Sequence, residues 1–324
     1  GGIFLIIFLM NEENDSKIGE MKCTYNILDI SQETNILGDD FAYLSSIGIY
    51  YDGDKLNPSN KFKFPKIGEN IINIEIYKTL NMDYMFKDVQ NLAEIEILST
   101  KNAKISSMQS AFENCISLNK FNISGFNLDE IKSMNKLFYG TNISLSDIEN
   151  LSTNNVEDMS FMFASSTSSN IRVDKINTSH VTNMSYMFYN CSNVEMLNIS
   201  NFETKNVVDM SNMFANTTKL QMIDFGKNNF DTINVKNMSG LFSYSESLFQ
   251  IDISGFNTSQ VTDMSRMFQF CSIMNINLRG LITSQVTNMS RMFQGFSSMR
   301  TDLANIDTSK VIDMSHMFED SSIR

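Results

Sequence analysis

Ten times between Met82 and Phe318 the chain repeats a methionine, two residues, an apolar residue and phenylalanine, at intervals of 25, 26 or 28 residues. The anchors are Met82, Met108, Met134, Met159, Met184, Met210, Met238, Met264, Met289 and Met314. A period of that length constrains the fold more than any composition does, because no such unit can bury its own apolar face and neighbouring copies must cover one another. Stacked repeats of this kind usually bind and seldom catalyse.

Superimposing the copies gives each position a physical meaning. Phenylalanine lies four residues after every anchor, and Met, Leu or Ala three after it. Apolar side chains at i, i+3 and i+4 share one helical face. The residue before each anchor is Asp, Asn or Ser, the side chains that accept from orphan N–H groups in a helix's first turn. This part of the unit reads as a short capped helix of one to two turns. Leu92-Ala93-Glu94-Ile95-Glu96-Ile97, and the corresponding stretches 118–123, 194–199, 220–225 and 248–253, end in the period of two of a half-buried strand. One strand and one short helix per unit predicts an α/β, leucine-rich-repeat-like solenoid of about ten coils.

The stretch Phe256-Asn257-Thr258-Ser259-Gln260-Val261-Thr262-Asp263-Met264-Ser265-Arg266-Met267-Phe268 resembles the bacterial surface protein 26-residue repeat of the BspA-like leucine-rich-repeat proteins. The likeness covers residues 81–324 and is weakest around 143–175, where Asp147 and Arg172 fall on strand positions that are apolar elsewhere. It implies a cell-surface or secreted protein that adheres to, or binds, host and extracellular-matrix proteins, in bacteria and some protists. Periodicity supplies the stacking; only the resemblance supplies adhesion.

The flanks read differently. An eight-residue apolar run at 3–10 is too short for a membrane span but suits the core of a signal peptide, so residues 1–20 are assigned to a leader remnant and polar spacer. Residues 21–80 lack the repeat, and Ile47-Gly48-Ile49-Tyr50-Tyr51 before Asp52-Gly53-Asp54 reads as a strand entering a hairpin turn. With further strands expected at 61–64 and 71–77, this segment is assigned as a small β-rich cap covering the first coil, and 81–324 as the array. The chain stops ten residues after Met314, so the array is expected to continue beyond it or to associate end to end.

A formal charge of −12 argues against nucleic-acid partners, which require a basic face. Cys115, Cys191 and Cys271 each sit seven residues after an anchor and three units apart, about 14 Å in a parallel stack, too far for a disulfide. The same slot holds Thr141, Ser166, Thr217, Ser245 and Ser321, so a small packing position is expected. With only His180 and His316, no metal site, cofactor or catalytic triad is expected, and Arg266, Arg291 and His316 form a small positive stripe on a variable face. Asn-X-Ser/Thr sequons, Asn183, Asn237 and Asn288 among them, arise largely from the repeat itself.

The candidate interaction face consists of outward strand residues: Glu94, Glu96, Lys120, Asn122, Met196, Asn198, Met222, Asp224, Gln250 and Asp252. It is weakly acidic, with two methionines near its middle able to adapt to an apolar partner. The expected function is non-enzymatic binding of a protein or cell-surface ligand, touching the membrane only through a leader or anchor; the alternative is an intracellular or receptor-type scaffold.

Overall fold

The anchor segments fold as chains of tight turns. In the computed structural model, which describes residues 16–101, 103–142, 151–226, 230–248, 251–298 and 300–323, the one helical element among the described residues is a three-residue 3-10 turn, Leu44–Ser46. In the unit of Met184, the N–H groups of Met187, Tyr189 and Cys191 return to the carbonyls of Met184, Tyr186 and Phe188, three residues back, at 3.2, 3.0 and 3.2 Å. The N–H groups between them leave the unit. Those of Met184, Tyr186, Phe188 and Asn190 reach the carbonyls of Asp209, Ser211, Met213 and Ala215 in the next unit, at 2.9, 2.9, 3.0 and 2.8 Å. An α-helix sends every N–H back four residues, so it could not supply this second set.

The geometry requires left-handed backbone twice per unit. The second residue after each anchor, from Tyr84 to His316, has φ between 52° and 62°, and the sixth, from Asp88 to Asp320, between 52° and 68°. Few of these are glycine, and each side chain placed there costs about 1–2 kcal/mol. Four inter-unit hydrogen bonds, at about 1 kcal/mol net each, offset the strain. The Asp and Asn residues before the anchors close Asx turns where a helix cap was expected: Asn183 Oδ1 accepts from Ser185 N–H at 3.0 Å and Asp209 Oδ1 from Ser211 N–H at 2.8 Å.

The α/β, leucine-rich-repeat-like solenoid with one helix per coil is therefore overturned. The described chain is built of strands and turns, in one six-stranded mixed sheet and five two-stranded sheets. Its apolar positions nevertheless point inward, because consecutive i→i+3 turns bring the anchor, the third and the fourth residues to one side, as a helix would. The phenylalanines from Phe86 to Phe318 stack ring on ring, with centroids 5.5–6.0 Å apart and planes within 18° of parallel.

Residues ahead of the repeats build most of the large sheet. Strand β1 (Gly19–Ile27) is followed by β2 (Thr34–Asn35), β3 (Ile47–Tyr51), β4 (Asp54–Lys55), β5 (Lys61–Phe62) and β6 (Gly68–Ile76). Then come β7 (Leu80–Asn81), β8 (Leu92–Thr100), β9 (Ile105–Ser107), β10 (Lys120–Asn122), β11 (Met196–Asn198) and β12 (Met222–Asp224). The sheet runs β10-β8-β1-β6-β3-β4, with β1 antiparallel to β8 of the first unit and β10 parallel to it. Asp52 and Gly53, at φ 49° and 86°, make the two-residue turn of the β3–β4 hairpin, so Asp52-Gly53-Asp54 is a turn. Gly38 N–H donates to Met85 O at 2.8 Å, and a Cβ there would come within 2.2 Å of Tyr84 O. Only glycine lets the backbone lie on the first unit and occupy the place of a preceding one.

A ladder of alternating charge runs beside the anchors. Asp158, Asn183, Asp209, Asn237, Asp263, Asn288 and Asp313 alternate, and neighbours bridge in parallel. Asn237 Nδ2 donates to Asp209 Oδ2 and Asn288 Nδ2 to Asp263 Oδ2, both at 3.3 Å. Adjacent carboxylates about 4.8 Å apart would instead repel by roughly 1 kcal/mol in water and more where half-buried.

Two predictions follow from this packing. Phe214→Ala should lower stability by about 3–5 kcal/mol in chemical denaturation, Arg266→Gly should leave it unchanged or raise it by up to about 1 kcal/mol, and Arg266→Pro should cost about 3 kcal/mol or more. Asn237→Asp stacks three carboxylates, which bind protons more tightly folded than unfolded. Its penalty should be small near pH 3 and grow as pH rises through the carboxylate range, read as melting temperature against pH relative to wild type.

Candidate interaction face

Nine of the ten candidate residues fall into two patches and an outlier. Glu94 and Glu96 of β8 stand in register with Lys120 and Asn122 of β10. Lys120 Nζ lies 3.5 Å from Glu94 Oε2, and Lys22 Nζ of β1 lies 3.9 Å from Glu96 Oε2. The acidity read from the sequence is locally neutralised there, by half-exposed ion pairs worth about 0–1 kcal/mol each.

The second patch lies on β11 and β12, which pair in parallel with Met196 opposite Met222 and Asn198 opposite Asp224. Between them and residues 170–174 opens a groove of about 450 Å³, lined by Asn170, Arg172, Asp174, both methionines, Asn198 and Asp224 over a floor of Ile171, Val173 and Leu197. Residues 171–173 form no strand pairing with β11, although the same slots pair between β11 and β12. Asp252 is exposed in the next unit; the Ser254 hydroxyl and backbone N–H beside it hold its carboxyl below the usual carboxylate range. Gln250 lies outside the described residues, as does Asp147.

Part of this face serves the fold. Asn122, Asn198, Asp224 and Asp252 each accept the N–H two residues on, from Ser124, Ser200, Gly226 and Ser254, at 2.9–3.0 Å. These oxygens end the strands by closing Asx turns. The sequence reading also misplaced Arg172: Ile171 and Val173 are buried while Arg172 points outward. Its unit is only 25 residues long, so counting forward from Met159 slips by one; counting back from Met184 puts Ile171 thirteen before its anchor, as Leu197 is before Met210.

Two buried polar ladders went unread. Thr178, Thr258 and Thr283 are buried, and each hydroxyl both donates to a carbonyl and accepts an N–H from one residue of the next unit, Glu203, Ile282 and Asp307 respectively. Threonine six residues before each anchor from Met159 to Met314 was the available signal. The seventh-residue slot has a comparable role: Cys115, Cys191 and Cys271 donate to the carbonyls of Phe86, Phe163 and Phe242 in the preceding unit, and Ser245 does so to Phe214. All four thiols, Cys23 included, are free and buried.

Burial pushes the Cys191 and Cys271 thiols up to about 12. They should therefore alkylate slowly in the folded protein at pH 8 and rapidly in denaturant, as mass spectrometry would show. Their folded proton affinity exceeds the unfolded value near 9, so the stability they lend is complete below about pH 9 and is lost between pH 9 and 12.

Elsewhere the surface offers less. A cleft of about 620 Å³ lies against the hairpin, with Tyr50, Tyr51, Lys66, Glu69 and Asn73 on its walls. His180 and His316 are exposed; Ser179 Oγ sits 3.2 Å from His180 Nδ1 but donates to Asn177 Oδ1. Among the described residues, no three His, Cys, Asp or Glu side chains are grouped to hold a metal ion.

A family model described as "Mycoplasma protein of unknown function, DUF285" matches residues 59–168, 139–227 and 221–323, and the chain belongs to that family. The resemblance to BspA-like leucine-rich-repeat surface proteins is corrected accordingly: the repeat is that of the Mycoplasma family, and its units carry no helix among the described residues. No curated protein and no solved structure matches the chain.

Proposed function

We propose that the chain is a non-enzymatic interaction module, surface-exposed or secreted, that binds a partner macromolecule through the outward strand face around β11 and β12. The observation that carries this reading is the pair Met196 and Met222, 60% and 45% exposed side by side in register, where seventeen of the other nineteen described methionines are buried and the two exposed ones, Met274 and Met314, do not stand in register with one another. Outward strand positions need only polar residues for solubility, and flexible thioethers beside a groove suit an apolar partner. A surface or secreted location is supported by the apolar run at residues 3–10. Among the described residues no helix is long and apolar enough to cross a membrane.

The test is binding of the purified full chain to cultured host cells and to immobilised matrix protein. Met196→Lys with Met222→Lys should reduce binding at least tenfold at unchanged melting temperature, whereas Arg266→Ala on the turn side should not. Undiminished binding by the double variant, or none by the wild type, would sink the proposal.

A further inference from the structure

Arg172 departs from a turn rule that its slot keeps in five other units. Twelve residues before their following anchors stand Asn122, Asn198, Asp252, Asn277 and Asp302, each closing a turn by accepting the N–H two residues on. Arginine has no acceptor, so position 172 forgoes that bond. What the side chain gains instead is one exposed ion pair, its Nε 3.6 Å from Asp174 Oδ1, worth about 0–1 kcal/mol, and no hydrogen bond from the guanidinium to a described residue accompanies it. It is 55% exposed, and among the described residues it is the one cation lining the groove of Met196 and Met222. A turn bond given up for so weak a pair marks a candidate functional position.

On the reading that this face binds a partner, we infer that the groove takes an extended peptide segment of a partner protein in which a carboxylate side chain stands beside a large apolar one. The guanidinium fork meets the carboxylate through paired hydrogen bonds, a geometry that lysine cannot reproduce. The apolar side chain lies on the two methionines. Asp174 and Asp224, which repel a second acid, accept the segment's backbone N–H groups; Asp224 Oδ1 already holds Gly226 N–H, which leaves Oδ2 for the partner.

The experiment scans the labelled full chain over an array of immobilised synthetic peptides of about twelve residues. Acid-plus-apolar peptides should be captured, and Arg172→Asn should weaken capture at least tenfold while keeping or raising the melting temperature, since asparagine restores the missing turn bond. Arg172→Lys should recover only part of the binding. Capture of uncharged or basic peptides, or equal capture by Arg172→Asn, overturns the inference. Loss with the methionine double variant but not with Arg172→Asn leaves the interaction face standing and removes its acid preference; loss with neither removes both. Dimerisation of the wild type, abolished by the methionine double variant in sedimentation, would assign the groove to a second copy instead.

Discussion

The structure rests on the alternating destination of backbone N–H groups in the anchor segments. One N–H turns back three residues and the next crosses to the following unit, as Met187 and Phe188 do. This alternation goes with the left-handed residues: a strand also alternates its N–H groups, but only in extended backbone, and here residues of opposite hand let tight i→i+3 turns do so. It sets the register of the phenylalanine stack and the slots where buried hydroxyls and thiols meet carbonyls of the adjoining unit. Side chains at left-handed positions are then free to vary, from Tyr84 and Lys136 to Arg291, provided the backbone tolerates the conformation.

The inside and outside of the units were legible in the sequence, and the backbone was not. Apolar residues at the anchor, third and fourth positions of every unit but the last are buried, as they would be in a helix or in a succession of i→i+3 turns, so their spacing cannot separate the two. What could have separated them is the second position, where Gly240 alternates with Tyr186 and Asn212: a helix interior has no use for a left-handed residue there. The acceptor before each anchor misled similarly, since an Asx turn and a helix cap draw on the same side chains. In the candidate face, Met196, Asn198, Met222 and Asp224 were named from alternation and are brought together, but Arg172 was lost to a one-residue slip in counting.

The groove exists because the stack is imperfect. Between residues 171–173 and β11 the strand ladder lapses, though the turns on the other side of the same units stay bonded through Phe163 N–H to Met187 O. The turn side thus carries the mechanical continuity of the array, and the strand side is free to open without cost to the phenylalanine column. Function can be written into outward strand positions while the anchors keep the fold.

The alternation of aspartate and asparagine beside the anchors has a consequence for how such an array can change length. From Asp158 to Asp313 the true chemical period is two units, because deleting a single one would set two carboxylates, or two amides, in direct succession. Removing or duplicating an adjacent pair preserves every Asn-to-Asp contact. Units in this stretch are therefore interchangeable in couples and not singly, and a recombination event that shifts by one repeat leaves a junction with a misfit built into it.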